Sequence, residues 1–191
     1  MTEIYVIAYL FLPLLVGLAL HGFFIKYDVL TFLCRPIDRG RSFRGKRIFG
    51  DNKTYRGFAV VSLGTAIGFG LQSLLLHRSA SIRSIELFDY AFFKSVAVGL
   101  AVGAAAMLSE LPNSFIKRRF EIAPGSVAKG WKRVIFYVYD QIDFLLGAWL
   151  VLAVVVPITV ERALLSAGLL LVAHQLMSSA GYALGMRKTA R

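Results

Sequence analysis

Five apolar segments divide the chain, and each is long enough to cross a lipid bilayer. A helix rises about 1.5 Å per residue, so roughly 20 consecutive apolar residues span the hydrocarbon core. The segments cover about residues 4–25, 57–76, 91–111, 134–156 and 163–184. This pattern predicts an all-α polytopic membrane protein with about five transmembrane helices, arranged as a single integral membrane domain over residues 1–191.

Composition agrees with that prediction, because 57% of the residues are hydrophobic and only 17% are charged. Such a chain is too apolar for an ordinary soluble domain. The first segment follows Glu3 and no lysine or arginine, and no small-residue cleavage site follows it. We therefore expect it to be a retained helix and not a signal peptide.

The polar connections differ sharply in charge. Residues 26–56 hold nine basic and three acidic side chains, residues 112–143 hold six and three, and residues 186–191 hold three and none. Positive charge accumulates on the cytoplasmic side, so we expect the carboxyl terminus and the loops at about 26–56 and 112–133 there, with the amino terminus outside. Nucleic-acid binding explains the net charge of +11 poorly, because the basic residues lie in membrane-tethered loops without a recognisable binding module.

The first basic loop is patterned for phosphate. Its glycines at positions 40, 45, 50 and 57 alternate with basic side chains, which lets N–H groups and cations converge on phosphate oxygens. The basic residues are Arg44, Lys46, Arg47, Lys53 and Arg56. We expect Asp51, Asn52 or Thr54 to cap the second helix, whose N-terminus is itself an anion site.

The second basic loop places a hydroxyl group beside cationic side chains. Pro112 is expected to close the third helix and open a short new one, with Asn113 or Ser114 near its start. At helical spacing Ser114, Lys117 and Arg118 then share a face. Glu110, just before this stretch, adds either a further carboxylate or a partner for a loop arginine.

Two carboxylates, Asp140 and Asp143, lie inside the fourth apolar segment. If that helix begins near Arg133, Asp140 is about 10 Å along it, where an ionised group is costly and is by default a functional candidate. Residues three apart share a helix face, the spacing needed to present two carboxylates to Mg²⁺. The alternative is that the pair forms buried salt bridges with Lys117 or Arg118.

These residues suit phosphate chemistry without a general base. The three histidines are His21, His77 and His174, and none lies in the basic loops; His174 is expected to form an inter-helix hydrogen bond or to contact substrate. A phosphate nucleophile is already ionised at neutral pH, so positioning and charge stabilisation suffice. A lipid phosphate attacking a nucleoside triphosphate fits these requirements.

Three ordered motifs give the chain a family resemblance. The strings F-G-D-N-K-T-Y-R-G-F, N-S-F-I-K-R-R with a downstream P-G, and D-Q-I-D-F together resemble the CDP-archaeol synthase family, CTP-dependent lipid cytidylyltransferases related to the phosphatidate cytidylyltransferases. The resemblance implies CTP and a lipid phosphate as substrates, Mg²⁺ on Asp140 and Asp143, and a CDP-activated diether lipid and pyrophosphate as products. It implies catalytic roles for Lys53, Arg56, Lys117, Arg118, Asp140 and Asp143. It implies substrate-binding roles for Lys46, Asp51, Asn52, Thr54, Asn113 and Ser114.

The chain also departs from the phosphatidate enzymes. They have a glycine-rich run before the acidic pair and a serine after it, where this chain has G-W-K-R-V-I-F-Y-V-Y and Phe144. The resemblance therefore predicts the chemistry better than the lipid. Two other hypotheses remain open, a CTP-dependent lipid or polyprenol kinase and a non-catalytic lipid-binding or transport protein.

Overall fold

The computed structural model describes residues 3–78, 83, 86–126 and 128–183. Its helices are α1 (Glu3–Lys26), α2 (Tyr55–Arg78), α3 (Phe92–Arg119), α4 (Trp131–Leu152) and α5 (Val160–Ala183). All five are long and apolar enough to cross a membrane. The predicted five-helix membrane fold is confirmed, while the basic tail at 186–191 lies outside the described residues.

Helix α3 corrects the sequence prediction at Pro112. It runs for 28 residues straight through Pro112, so Asn113 and Ser114 belong to α3 and not to a new short helix. The second basic loop is accordingly residues 120–130, shorter than the predicted 112–133. Proline forfeits one hydrogen bond to the preceding turn, a loss that a helix packed among other membrane helices tolerates. The polar stretch from Glu110 to Arg118 is therefore held on a continuous helix.

Helices α1 to α4 pack closely because small residues let their backbones approach. Helix α2 packs against α1 and α3, and α3 also packs against α4. A Cβ added to Gly103 of α3 would lie 2.7 Å from the Cα of Ser62 in α2. One added to Gly147 of α4 would lie 2.4 Å from the carbonyl oxygen of Ala105 in α3. Small residues of the second and third helices thus form packing faces, and these faces fix the lateral positions of the polar side chains.

Helix α5 packs against α1 and α4. Trp149 of α4 donates its indole N–H to the hydroxyl of Ser166 at 2.9 Å. Near the start of α5, Arg162 pairs with Glu3 of α1 at 3.1 Å. The N-terminal ends of α1 and α5 therefore lie at the same end of the bundle.

The first basic loop folds around the buried carboxylate of Asp38. Its oxygens accept the backbone N–H groups of Gly40, Phe49 and Gly50 at 2.9–3.0 Å and the guanidinium of Arg47 at 2.8 Å. Burial by itself would raise the pKa of Asp38, but Arg47 and the three N–H groups hold that pKa well below its usual range. A short antiparallel hairpin, β1 (Ser42–Phe43) with β2 (Lys46–Arg47), projects from this centre.

The two basic loops meet at the opposite end of the bundle from Glu3. Arg119, the last residue of α3, donates to the carbonyl oxygens of Phe43, Lys46 and Arg47 in the hairpin. Lys46 in return donates to the Arg119 carbonyl at 3.1 Å and pairs with Glu121 at 2.8 Å. This pairing lowers the pKa of Glu121. The loops therefore form one polar cap over the ends of α2 and α3.

Candidate active site

A cavity of about 640 Å³ lies beneath this cap, bounded by α1, α3, α4 and α5. That volume falls within the roughly 300–1,000 Å³ of small-molecule sites in proteins. One part of its wall is apolar, with Leu15 and Leu18 from α1, Phe144 from α4, and Leu170 and Met177 from α5. The other part is polar and lies against the basic loops. A single cavity thus offers surfaces for an anion and for hydrocarbon.

The polar wall is built largely on one face of α3. Glu110, Asn113, Ser114 and Lys117 all line the cavity, and their separations of three and four residues place them on one stripe of the helix. Arg118 lines it as well. The prediction that Ser114, Lys117 and Arg118 come together is confirmed, on a longer helix than the sequence suggested.

Helix α4 presents its two aspartates to this stripe. The amide nitrogen of Asn113 donates to Asp140 at 2.7 Å and to Asp143 at 2.9 Å, so one side chain bridges both carboxylates. Lys117 forms an ion pair with Asp140. Asp140 lines the cavity, whereas Asp143 is only 4% exposed and lies deeper. The salt-bridge alternative therefore holds for Asp140, with Lys117 as its partner.

The donor set at the aspartates fits Mg²⁺ in one of its usual modes. No three His, Cys, Asp or Glu side chains within the described ranges are grouped closely enough to hold an ion by themselves. Mg²⁺, however, is commonly held by one or two carboxylates and completed by water and substrate phosphates. Asp140 and Asp143 supply such a pair of carboxylates, and the Asn113 amide nitrogen holds both of them.

A second ion pair crosses the cavity wall between Lys53 and Glu110, with 2.6 Å between Nζ and Oε2. Lys53 comes from the first basic loop, two residues before α2, and Glu110 comes from α3. Both side chains are largely shielded from solvent, with exposed fractions of 19% and 15%. Glu110 therefore pairs with a loop lysine, where the sequence had suggested a loop arginine as one alternative.

The third cation of the cavity is Arg118, and its environment is different. Its side chain is buried, and neither Nε nor Nη1 has a hydrogen-bond partner among the described residues. Leaving such donors unsatisfied is costly, and an oxyanion in the cavity would satisfy them. Among the described residues that line the cavity, Lys53 pairs with Glu110 and Lys117 with Asp140, whereas Arg118 has no carboxylate partner.

Four residues that were expected to contact the substrate instead organise the loops and do not line the cavity. They are Lys46, Asp51, Thr54 and Arg56. Lys46 pairs with Glu121 as described above, and Asp51 pairs with Arg47 at 2.8 Å. Thr54 caps α2 by accepting the N–H of Gly57 at 3.3 Å, as predicted for one of three candidates. The fourth is Arg56, whose guanidinium donates to the carbonyls of Phe24 and Val29 at the end of α1.

Other cavity residues carried little or no signal in the sequence. Phe49 and Asn52 from the first loop line the cavity together with Gly125 and Ser126 from the second, and a Cβ on Gly125 would lie 3.4 Å from the Asn52 amide nitrogen. Of these, the sequence singled out Asn52, together with Gly125 as part of the P-G motif. On the apolar side, His174 of α5 forms a 3.1 Å hydrogen bond with Gln141 of α4, which confirms its expected inter-helix role. His174 also lines the cavity, so contact with a bound molecule remains compatible with that bond.

Comparison with known proteins agrees with this arrangement. The family described as CarS-like CDP-archaeol synthase matches residues 4–190. The CDP-archaeol synthase of Pyrobaculum aerophilum is 34% identical over 155 residues, covering 80% of each chain. That of Halobacterium salinarum strain R1 is 35% identical over 164 residues, covering 80% of this chain and 81% of its own.

A solved structure is similar across most of the fold. It is described as an intramembrane enzyme for archaeal membrane lipid biosynthesis, and it superposes with a TM-score of 0.53 at 25% sequence identity. The similarity covers 83% of this chain and 89% of that one. From the matched family and relatives, this chain belongs to the CarS-like CDP-archaeol synthase family.

Proposed function

We propose that this protein is a CTP-dependent cytidylyltransferase that converts a diether glycerol phosphate lipid of the membrane to its CDP-activated form and releases pyrophosphate. Family membership supports the reaction. The structural observation that carries it is Arg118, a buried guanidinium with unpartnered donors beside two lysines. These groups line a cavity that is also lined by apolar side chains, as a nucleotide and a lipid together require.

The reaction needs no proton to be removed from the nucleophile. An oxygen of the lipid phosphate attacks the α-phosphorus of CTP, the bond from that phosphorus to the bridging oxygen breaks, and pyrophosphate leaves with the electron pair. Lys53, Lys117 and Arg118 are placed to stabilise the charge that accumulates on the phosphate oxygens. The hydroxyl of Ser114 lines the same cavity and would donate to a phosphate oxygen, while Asn113 holds the two aspartates.

Asp140 and Asp143 would hold Mg²⁺, and the amide of Asn113 bridges the two carboxylates. When bound, the ion neutralises triphosphate charge and stabilises the leaving pyrophosphate. Lys117 pairs with Asp140 in the structure, so its ammonium lies beside the carboxylates that would hold the ion and would contact phosphate oxygens bound there. The two aspartates thus have a role that a purely structural ion pair would not require.

The acceptor's hydrocarbon has a matching surface on the apolar wall. Leu15 and Leu18 of α1, Phe144 of α4, and Leu170 and Met177 of α5 all line the cavity. Those helices lie within the predicted membrane spans. The lipid phosphate would therefore meet the nucleotide near Asp140, while its chains stay in an apolar environment.

The reaction is tested by incubating purified protein with CTP, Mg²⁺ and each of three acceptors. These are a diether glycerol phosphate, an ester phosphatidate and the unphosphorylated diether glycerol. We expect pyrophosphate release and transfer of label from α-labelled CTP into the lipid only with a phosphorylated acceptor. Transfer of label from γ-labelled CTP to the unphosphorylated lipid would support the kinase alternative. Binding of lipid without turnover of CTP would support the transport alternative.

We also propose that the amino terminus lies outside, and that the carboxyl terminus and the cavity's polar cap face the cytoplasm. The charge of the two joined basic loops supports this orientation, and cytoplasmic CTP would then reach the site directly. The test uses single cysteines in a Cys34→Ser background, at Ser42 of β1 and at Asp89 near the start of α3. A membrane-impermeant thiol reagent should label them from opposite sides. Labelling of both from one side would contradict the orientation.

A further inference from the structure

Lys53 and Glu110 form an ion pair that can exchange, because only side chains hold it in place. The backbone of Lys53 is tied separately, with its carbonyl accepting the N–H of Ile37 at 2.8 Å and its N–H donating to Gly50 at 3.3 Å. Glu110 is fixed on α3. The lysine side chain, with its flexible four-carbon stem, can therefore swing while the loop and the helix stay where they are.

The pair also lies where an anion would compete for the lysine. Lys53, Glu110 and Arg118 all line the same cavity, and both partners of the pair are more than four-fifths shielded from solvent. A shielded lysine is strongly attracted to whichever anion it contacts, since the surrounding dielectric is low. Lys53 would therefore be held by Glu110 in an empty cavity and by phosphate oxygens in a filled one.

We propose that Glu110 is a positioning residue that keeps Lys53 inside the empty site and yields it to the triphosphate. Nucleotide binding then exchanges the Glu110–Lys53 pair for a Lys53–phosphate pair. This inference rests on the proposed function, because it takes CTP as the competing anion. One consequence follows directly: the Glu110 carboxylate competes with the nucleotide, so removing its charge strengthens nucleotide binding.

The test measures the dissociation constant of CTP by calorimetry, on detergent-solubilised protein in EDTA so that no divalent ion contributes. Glu110→Gln should bind CTP about three- to tenfold more tightly than the wild type, as expected for loss of one partly shielded competing charge. Glu110→Asp keeps the charge but shortens the reach to Lys53, so it should show a smaller gain. That variant also carries the test if Glu110→Gln does not fold, because it leaves Lys53 with a counter-ion.

Two matched variants separate exchange at Lys53 from a general effect of charge. Lys53→Met should weaken CTP binding, and adding Glu110→Gln to it should change the dissociation constant little, because the lysine that Glu110 restrains is gone. Glu121→Gln removes the same charge from an exposed pair with Lys46 outside the cavity and should leave CTP affinity unchanged.

The inference is overturned if Glu110→Gln, or Glu110→Asp where the former does not fold, binds CTP no more tightly than the wild type. It is equally overturned if the gain persists in the Lys53→Met background or appears in Glu121→Gln. If the wild type binds CTP only with Mg²⁺, the same comparison of variants is made in Mg²⁺. Failure of the wild type to bind CTP under both conditions would instead refute the proposed function, and the inference with it.

Discussion

Asp143→Asn separates a metal-binding role of the acidic pair from a structural one. Asp143 is 4% exposed and accepts hydrogen bonds from the Asn113 amide at 2.9 Å and from the backbone N–H of Phe144 at 2.8 Å. An asparagine retains one acceptor oxygen, so one of these donors loses its partner, at a cost of about 1 kcal/mol. Replacing a buried carboxylate by a neutral amide offsets that cost. The melting temperature should therefore change by no more than about 4 °C.

Turnover should respond much more strongly than stability. Losing one charged ligand of Mg²⁺ removes about 3–4 kcal/mol of transition-state stabilisation, which corresponds to roughly 100- to 1,000-fold in rate. The Mg²⁺ concentration for half-maximal turnover should also rise by at least about tenfold, because the remaining ligands bind the ion more weakly. Pyrophosphate release from CTP, measured across a Mg²⁺ titration beside thermal unfolding in detergent, reports all three quantities.

Asp140→Asn provides an internal comparison because this aspartate has a cationic partner. The substitution leaves Lys117 without its counter-ion, and the pair's side chains are 17% and 25% exposed, between the fully buried and exposed cases. We expect a loss of about 1–2 kcal/mol, or roughly 2–8 °C in melting temperature, together with the loss of turnover. Adding Lys117→Met should restore stability but not activity.

Asp89→Asn serves as the matched control. Asp89 carries an exposed carboxylate that pairs with Lys94 at 3.5 Å and does not line the cavity, so both stability and turnover should stay near wild type. The reasoning would be refuted by an Asp143→Asn protein that turns over CTP within tenfold of wild type at unchanged Mg²⁺ dependence. It would also be refuted if activity declined only in proportion to the folded fraction.

Three further predictions concern single residues. Arg118→Gln should weaken CTP binding by about 10-fold or more in calorimetry without lowering the melting temperature, because its buried Nε and Nη1 gain no partner in the empty cavity; a drop of several degrees would contradict the anion-binding role. Asp38→Asn should loosen the first basic loop, detected as faster proteolysis between residues 39 and 49. The pKa of Asp38 is depressed in the folded protein, so its carboxylate stabilises the loop fully at neutral pH and less as the pH falls below a carboxyl's ordinary pKa. Acid should therefore speed proteolysis of this loop in the wild type and not in the variant. Gly147→Ala should cost about 1–3 kcal/mol by thermal unfolding since its Cβ would meet α3 at 2.4 Å, whereas Gly168→Ala, with open space around it, should cost nothing; equal melting temperatures would refute the close approach of α3 and α4.

The sequence motifs indicated the family, and the comparisons show it. The role of each basic residue, however, could be assigned only from the fold. The three motifs contain many charged and polar residues, but the sequence does not show which of them face the cavity. Lys53, Lys117 and Arg118 line the cavity, whereas Arg56 from the first motif and Lys46 just before it bind backbone carbonyls. A lysine that binds phosphate and one that fastens a loop look alike in sequence, because the difference lies in what surrounds each.

The sequence by itself determined the number of membrane helices and the two carboxylates inside the fourth. Both follow from local physics, since a bilayer requires a fixed length of apolar residues and penalises charge within it wherever the rest of the chain lies. The sequence could not predict that α3 continues through Pro112. Neighbouring helices decide whether a proline ends a membrane helix or only removes one of its hydrogen bonds.

Only the tertiary structure decided the charge partners. Glu110 lies 57 positions from Lys53, Asp140 lies 23 positions from Lys117, and the buried Asp38 gathers N–H groups up to 12 positions away. Ion-pair energy falls off over a few ångströms, whereas sequence separation says nothing about distance between helices. That distance is set by the glycine contacts that bring α2, α3 and α4 together, so the packing of small residues determines which charges meet in the cavity.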